Sequence, residues 1–70
     1  MERYSVASSN IAAIGYDDET ETLEVEFLDG AIYQYFGVQS HLHEQLMQAG
    51  SKGRFLHTYI RNAYPYSRVG

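Results

Sequence analysis

Strict alternation of apolar and polar positions is concentrated in one stretch of the chain, and it sets the expected fold. In TLEVEF, Leu23, Val25 and Phe27 fall on one side of an extended backbone, and Glu24 and Glu26 fall on the other. Upstream, Ile14 and Tyr16 stand two apart in a segment that predicts a strand over 10–17, and DDET supplies the turn that follows it. Downstream, Asp29-Gly30 signals a hairpin into GAIYQYFGV. The loop length of that hairpin decides which way two tyrosines face. A two-residue Asp-Gly turn pairs Phe27 with Ile32 and sets Tyr33 and Tyr35 opposite Glu26 and Glu24, on the polar side. A three-residue loop, Leu28-Asp29-Gly30, pairs Phe27 with Ala31, Val25 with Tyr33 and Leu23 with Tyr35, with Gly30 in the left-handed conformation that glycine adopts without steric cost. This second register stacks apolar on aromatic throughout and is the one expected, because a one-residue slip would turn every side chain over. It leaves Ile32 and Phe36 on the opposite face, as a covered surface or an oligomer contact.

After Val38 the period lengthens to a helical one. Ser40 is the expected N-cap of HLHEQLMQAG, with Leu42, Leu46 and Ala49 along one face and Gly50 closing the element. Ser51 then caps KGRFLHTYIRNAY, whose expected apolar stripe is Phe55, Tyr59, Ile60 and Ala63, and Pro65 stops it. The predicted fold class is α+β: a three-stranded antiparallel β-meander followed by two short helices packed on one face (βββαα). With 70 residues the chain makes one domain, 1–70.

Composition narrows the function classes. The chain is 44% apolar and 14% aromatic, too hydrophobic for a disordered tail, and seven tyrosines supply most of the aromatic area. It has no cysteine, hence no disulfide framework and no thiolate metal cluster, which fits a cytoplasmic location. MERYSVASS has no basic region followed by an apolar run, and no segment approaches the ~20 apolar residues that span a bilayer, so neither a signal peptide nor a membrane partner is expected. A core this small often gains stability by self-association, which makes a homo-oligomer an expectation. Catalysis has little support, with no nucleophile elbow and no distinctive carboxylate pair, and the acids between Asp17 and Asp29 read as a solvated turn and strand face. His41 and His43 are two apart on a predicted helix and point to opposite sides, whereas helical zinc pairs stand four apart. No metal, no cofactor and no enzymatic activity are expected.

Charge is divided along the chain. Residues 1–50 hold all nine acids and a single base, Arg3, while residues 51–70 hold Lys52, Arg54, Arg61 and Arg68 and no acid. Such asymmetry points to a charged partner for the basic part, or to contact between the two parts within or between chains. The stretch SKGRF starts a helix with Lys52 and Arg54 where acids are normally favoured. Ser51, Lys52, Gly53 and Arg54 together make a candidate phosphate site. Arg61 lies two turns beyond Arg54, on roughly the same face, and Arg68 follows the Tyr64-Pro65-Tyr66 stop. His57, Tyr64 and Tyr66 lie among these cations as candidate base-stacking rings, the arrangement that holds single-stranded nucleic acid. Tyr59 is assigned to the core.

The segments SSNIAAIGYD, LEVEF, DGAIYQYFGV, AGSKGRF and YPYSRV occur in this order with spacings that resemble the KTSC domain, over residues 6–69. The family is named after the C-terminus of some lysyl-tRNA synthetases and also occurs as stand-alone bacterial and phage proteins. Its central Y-x-Y corresponds to Tyr33-Gln34-Tyr35. The chain departs from the family pattern in having Gln39 where proline follows the valine matching Val38, and Leu56-His57 where asparagine follows the phenylalanine matching Phe55. The resemblance implies RNA binding by association. The leading expectation is therefore a non-enzymatic module that binds a phosphate-bearing ligand, RNA such as tRNA, through Ser51–Arg54, Arg61 and Arg68. Alternatives are a small homo-oligomer that sequesters a nucleotide or cyclic-nucleotide signal, and a protein–protein assembly domain.

Overall fold

In the computed structural model, which describes residues 1–70, the hairpin takes the three-residue-loop register. Val25 pairs with Tyr33 and Leu23 with Tyr35. The Phe27 and Gly30 amides donate to Ala31 O and Phe27 O at 2.8 and 3.0 Å, and Gly30 sits at φ 95°. Asp29 Oδ1 accepts from the Ala31 amide at 3.0 Å and braces the turn. A positive φ at Gly30 is the conformational requirement that made this register cheap.

The sheet has five antiparallel strands rather than three, in the order β1-β2-β3-β4-β5. They are β1 Arg3–Ser5, β2 Ile11–Asp17, β3 Thr22–Phe27, β4 Ile32–Phe36 and β5 Tyr66–Arg68. The expected meander is β2–β4, and the two missed strands are its edges. Each edge strand is three residues long, too short to show alternation, and its pairing comes from distant sequence: Tyr4 opposite Ile14, and Tyr66 opposite Tyr35. A register shift between Ile11 and Ala13, where β2 meets Phe27 and Glu26, is a bulge that turns Ile11 to the core face despite its odd spacing from Ile14.

Between β4 and β5 the chain forms α1, Ser40–Gln48, and α2, Lys52–Phe55, which runs on as a π-helical turn over Leu56–Ile60. Ser40 is the first residue of α1, not its cap; the capping position is Gln39, whose side chain makes no cap bond. Ser51 caps α2 as expected, its Oγ accepting from the Arg54 amide at 3.3 Å. The core is built from Ile11, Ile14, Leu23, Val25, Tyr35, Val38, Leu46, Leu56 and Ile60. The second helix thus buries Leu56 and Ile60 where Phe55, Tyr59, Ile60 and Ala63 were expected. Tyr59 is 56% exposed and pairs on the surface with Phe55, ring centroids 4.8 Å apart. Two parallel i, i+4 stripes compete on this helix, and periodicity alone does not say which one packs; the sheet accepts the aliphatic pair.

The face of the sheet away from the helices carries Ile32, half-buried, and Phe36, exposed, beside a polar network that is not simply solvated. Glu24 is only 6% exposed, and its two carboxylate oxygens accept from Arg3 Nη1 and Gln34 Nε2, each at 2.7 Å. Arg3 Nε also lies 3.5 Å from Glu26 Oε1. The one base of the first fifty residues therefore ties β1 across β2 to β3.

On the helical side, Tyr16 Oη donates to Val38 O at 2.6 Å, and its ring stacks on His43 at 4.5 Å with an 8° interplanar angle. Burial pushes the His43 imidazole below its ordinary value, with Glu44 opposing. The fold favours the neutral ring, so the unfolded chain binds more protons, and this contribution to stability is lost as pH falls through the unfolded imidazole's value of about 6.5. Replacing His43 by Phe keeps a ring on Tyr16 and is expected to flatten the melting-temperature profile over that window. A slope unchanged from the parent would contradict the assignment.

A tyrosine-lined groove between the second helix and the sheet edge

The inner face of β3, β4 and β5 carries a cluster of aromatic rings. Tyr33, Tyr35 and Tyr66 form a triangle with centroid separations of 6.4, 5.8 and 5.9 Å, and Phe27 meets Tyr33 edge-on at 5.8 Å. Pairing puts Arg68 directly opposite Tyr33, on the same face. Above this cluster the helical segment presents Gly53, Leu56, His57, Arg61 and Asn62, and between the two layers lies an open groove of about 800 Å³. Ser9, Asn10 and the β3–β4 turn, Leu28 and Asp29, bound it elsewhere.

The three tyrosines play different parts. Tyr35 is 3% exposed and belongs to the core, whereas Tyr66 is 59% exposed and offers a ring face to solvent. Tyr33 is half-buried and belongs to both. Burial pushes the Tyr35 phenol up, the Arg61 guanidinium opposes, and the Tyr33 and Tyr66 phenols push the same way as burial. Tyr35 therefore keeps its proton at neutral pH. The side chain of Arg61 forms no ion pair or hydrogen bond within the chain, and that of Arg68 donates from Nε to Gly70 O at 2.8 Å. Guanidinium groups and tyrosine rings lining one groove are the chemistry that holds a planar, anionic ligand.

Of the residues singled out in the sequence, Gly53, His57, Arg61, Tyr66 and Arg68 line this groove together. Ser51, Lys52, Arg54 and Tyr64 do not. Ser51 is occupied as a cap, and Lys52 Nζ donates to Ala49 O at 3.2 Å, closing the end of α1. Arg54 is exposed on another side of the helix, and Tyr64 packs half-buried against the core. The π turn separates Arg54 from Arg61. Its wider ring, closed by the Arg61 amide on Leu56 O at 2.8 Å, delays the helical phase, so Gly53 and not Arg54 shares a side with Arg61. The close approach at Gly53 is taken by this chain's own Asn10, since a Cβ there would collide with the Asn10 side-chain oxygen. Asn10 and Asn62 are groove residues with no sequence signal, brought in by the contact of Gly53 with Asn10 and by the helix above the sheet. Tyr33, placed opposite Val25 by the expected register, opens onto the groove as well as packing on the core.

The KTSC domain model matches residues 7–64. A protein of Stutzerimonas stutzeri is 39% identical over 70 residues, covering 99% of both chains. A lysine–tRNA ligase of Nostoc is 39% identical over 61 residues, which is 87% of this chain but 11% of the ligase. The crystal structure of a KTSC domain protein from Yersinia pestis superposes with a TM-score of 0.93 at 40% identity, over 99% of this chain and 97% of that one.

Proposed function

The chain belongs to the KTSC domain family, and from that premise we propose that it is a non-enzymatic cytoplasmic module that binds a phosphate-bearing ligand, RNA such as tRNA, in the tyrosine-lined groove. One observation carries the reading. Arg61 and Arg68 converge with Tyr33 and Tyr66 on a single open cavity whose lining holds one acid, Asp29. The guanidinium groups take phosphate, and the exposed face of Tyr66, backed by Tyr33, takes a base. The ligase relative supports RNA by association, since a tRNA-handling enzyme carries a similar segment. The helix start at Ser51–Arg54 is secondary in this reading, with Arg54 extending the basic surface outside the groove.

Titration of labelled tRNA and single-stranded RNA at low and moderate salt tests it. Binding is expected at low salt and weakens as salt rises. The Arg61→Ala, Arg68→Ala double variant is expected to bind more than about tenfold more weakly, because each charged hydrogen bond is worth roughly 1.5–3 kcal/mol. The Lys52→Ala, Arg54→Ala pair is expected to lose less. No binding at low salt, or binding indifferent to Arg61 and Arg68, would overturn the proposal.

A further inference from the structure

The groove has the volume and charge for one small ligand rather than for a length of polyanion. Its volume of about 800 Å³ lies within the range of roughly 300–1,000 Å³ usual for small-ligand sites. Its only arginines are Arg61 and Arg68, and its boundary at the β3–β4 turn carries the Asp29 carboxylate. A chain of phosphates led past that turn would meet like charge. Beyond the groove the basic segment offers a single free cation, Arg54, exposed on another side of the helix. Lys52 is drawn to Ala49 O, and the acids Asp17, Asp18, Glu19 and Glu21, none of them in an ion pair, cluster at the β2–β3 turn. That turn lies at the other end of β2 from Asn10, which stands against Gly53.

Resting on the ligand reading above, we infer that the groove seats a single nucleotide unit: one base against Tyr66 and Tyr33, and its phosphate between Arg61 and Arg68. The unit is chemically the same whether it is a free 5′-mononucleotide or one unstacked residue of a single strand. Asp29, on the turn that adjoins the Arg68 end of β5 and opposite in sign to the two arginines, disfavours a second phosphate beyond that turn.

Calorimetric titration with a 5′-mononucleotide, a dinucleotide, a linear single-stranded decanucleotide and its closed circle, at several salt concentrations, tests the inference and separates the sources. The expected result is one site per chain, with the mononucleotide and the linear strand binding within about threefold of each other. The expected slope of log K against log salt is shallow, about −1.4 for two charges on a single strand. Within that result, binding of the circle assigns internal residues as well as free nucleotide, and exclusion of the circle assigns strand ends. A linear decanucleotide that binds more than about thirtyfold tighter than the mononucleotide would overturn the single-unit inference while leaving the RNA reading standing. Absence of binding by every ligand at low salt would overturn both. Asp29→Asn supplies a second measurement: it is expected to raise the affinity of the dinucleotide relative to the mononucleotide, and an unchanged ratio would remove Asp29 from the account.

Discussion

Replacing Tyr35 by alanine is expected to bring the domain close to unfolding. The ring is 3% exposed, packs against both Tyr33 and Tyr66, and joins the core formed by Leu23, Val25, Leu56 and Ile60. Truncating a buried aromatic to alanine costs about 3–5 kcal/mol, from lost transfer energy and the cavity left behind. A domain of this size has a total stability of only about 4–10 kcal/mol. Urea denaturation followed by circular dichroism should show the midpoint collapse. Tyr35→Phe, which keeps the ring, is expected to stay within about 1.5 kcal/mol of the parent. Tyr66→Ala is expected to unfold near the parent's midpoint while losing ligand, because that ring is exposed on an edge strand. A stable Tyr35→Ala variant would remove the central tyrosine from the core.

The second large effect is expected on the opposite face. Glu24 is nearly buried with both oxygens engaged, so Glu24→Ala strands Gln34 and leaves the Arg3 guanidinium without its short partner. Losing charged hydrogen bonds of this kind costs about 1.5–3 kcal/mol, moderated here because Arg3 is partly exposed and reaches water. The loss should be local before it is global: hydrogen exchange is expected to accelerate first in β1, which is held at the sheet edge by Arg3 and by its pairing with β2. Glu24→Gln retains an acceptor for Arg3 and is expected to fall between alanine and the parent. Exchange in β1 unchanged by Glu24→Ala would show that backbone pairing alone holds the strand.

Particular residues show what was legible in the sequence. The alternation of Leu23, Val25 and Phe27, with the glycine demand at position 30, was enough to set the β3–β4 register to the residue. Ser51 announced the start of α2 through its chemistry alone. The edge strands were not legible, because three residues cannot display a period and their partners lie far along the chain. The choice between Phe55–Tyr59 and Leu56–Ile60 as the buried pair was hidden for a different reason. Both repeat at four residues, and the π turn that settles the helical phase has no local signature. The basic residues of the candidate site were visible as a composition shift. Their division into those that face the groove and those that do not depends on that same π turn. Glu24 looked like any other solvated strand acid until Arg3 and Gln34 were brought beside it by strands on either side.

In the proposed function, ligand enters the groove between the second helix and β4–β5. A titration of isotope-labelled protein with a 5′-mononucleotide and with single-stranded RNA, followed by heteronuclear NMR, tests it most directly. Both ligands are expected to shift the same resonances: the side-chain and backbone signals of Tyr33, His57, Arg61, Tyr66 and Arg68, with the acidic β2–β3 turn unmoved. Shifts confined to Lys52 and Arg54, shifts centred on the Arg3–Glu24 face, or a spectrum that ignores both ligands at low salt would contradict it.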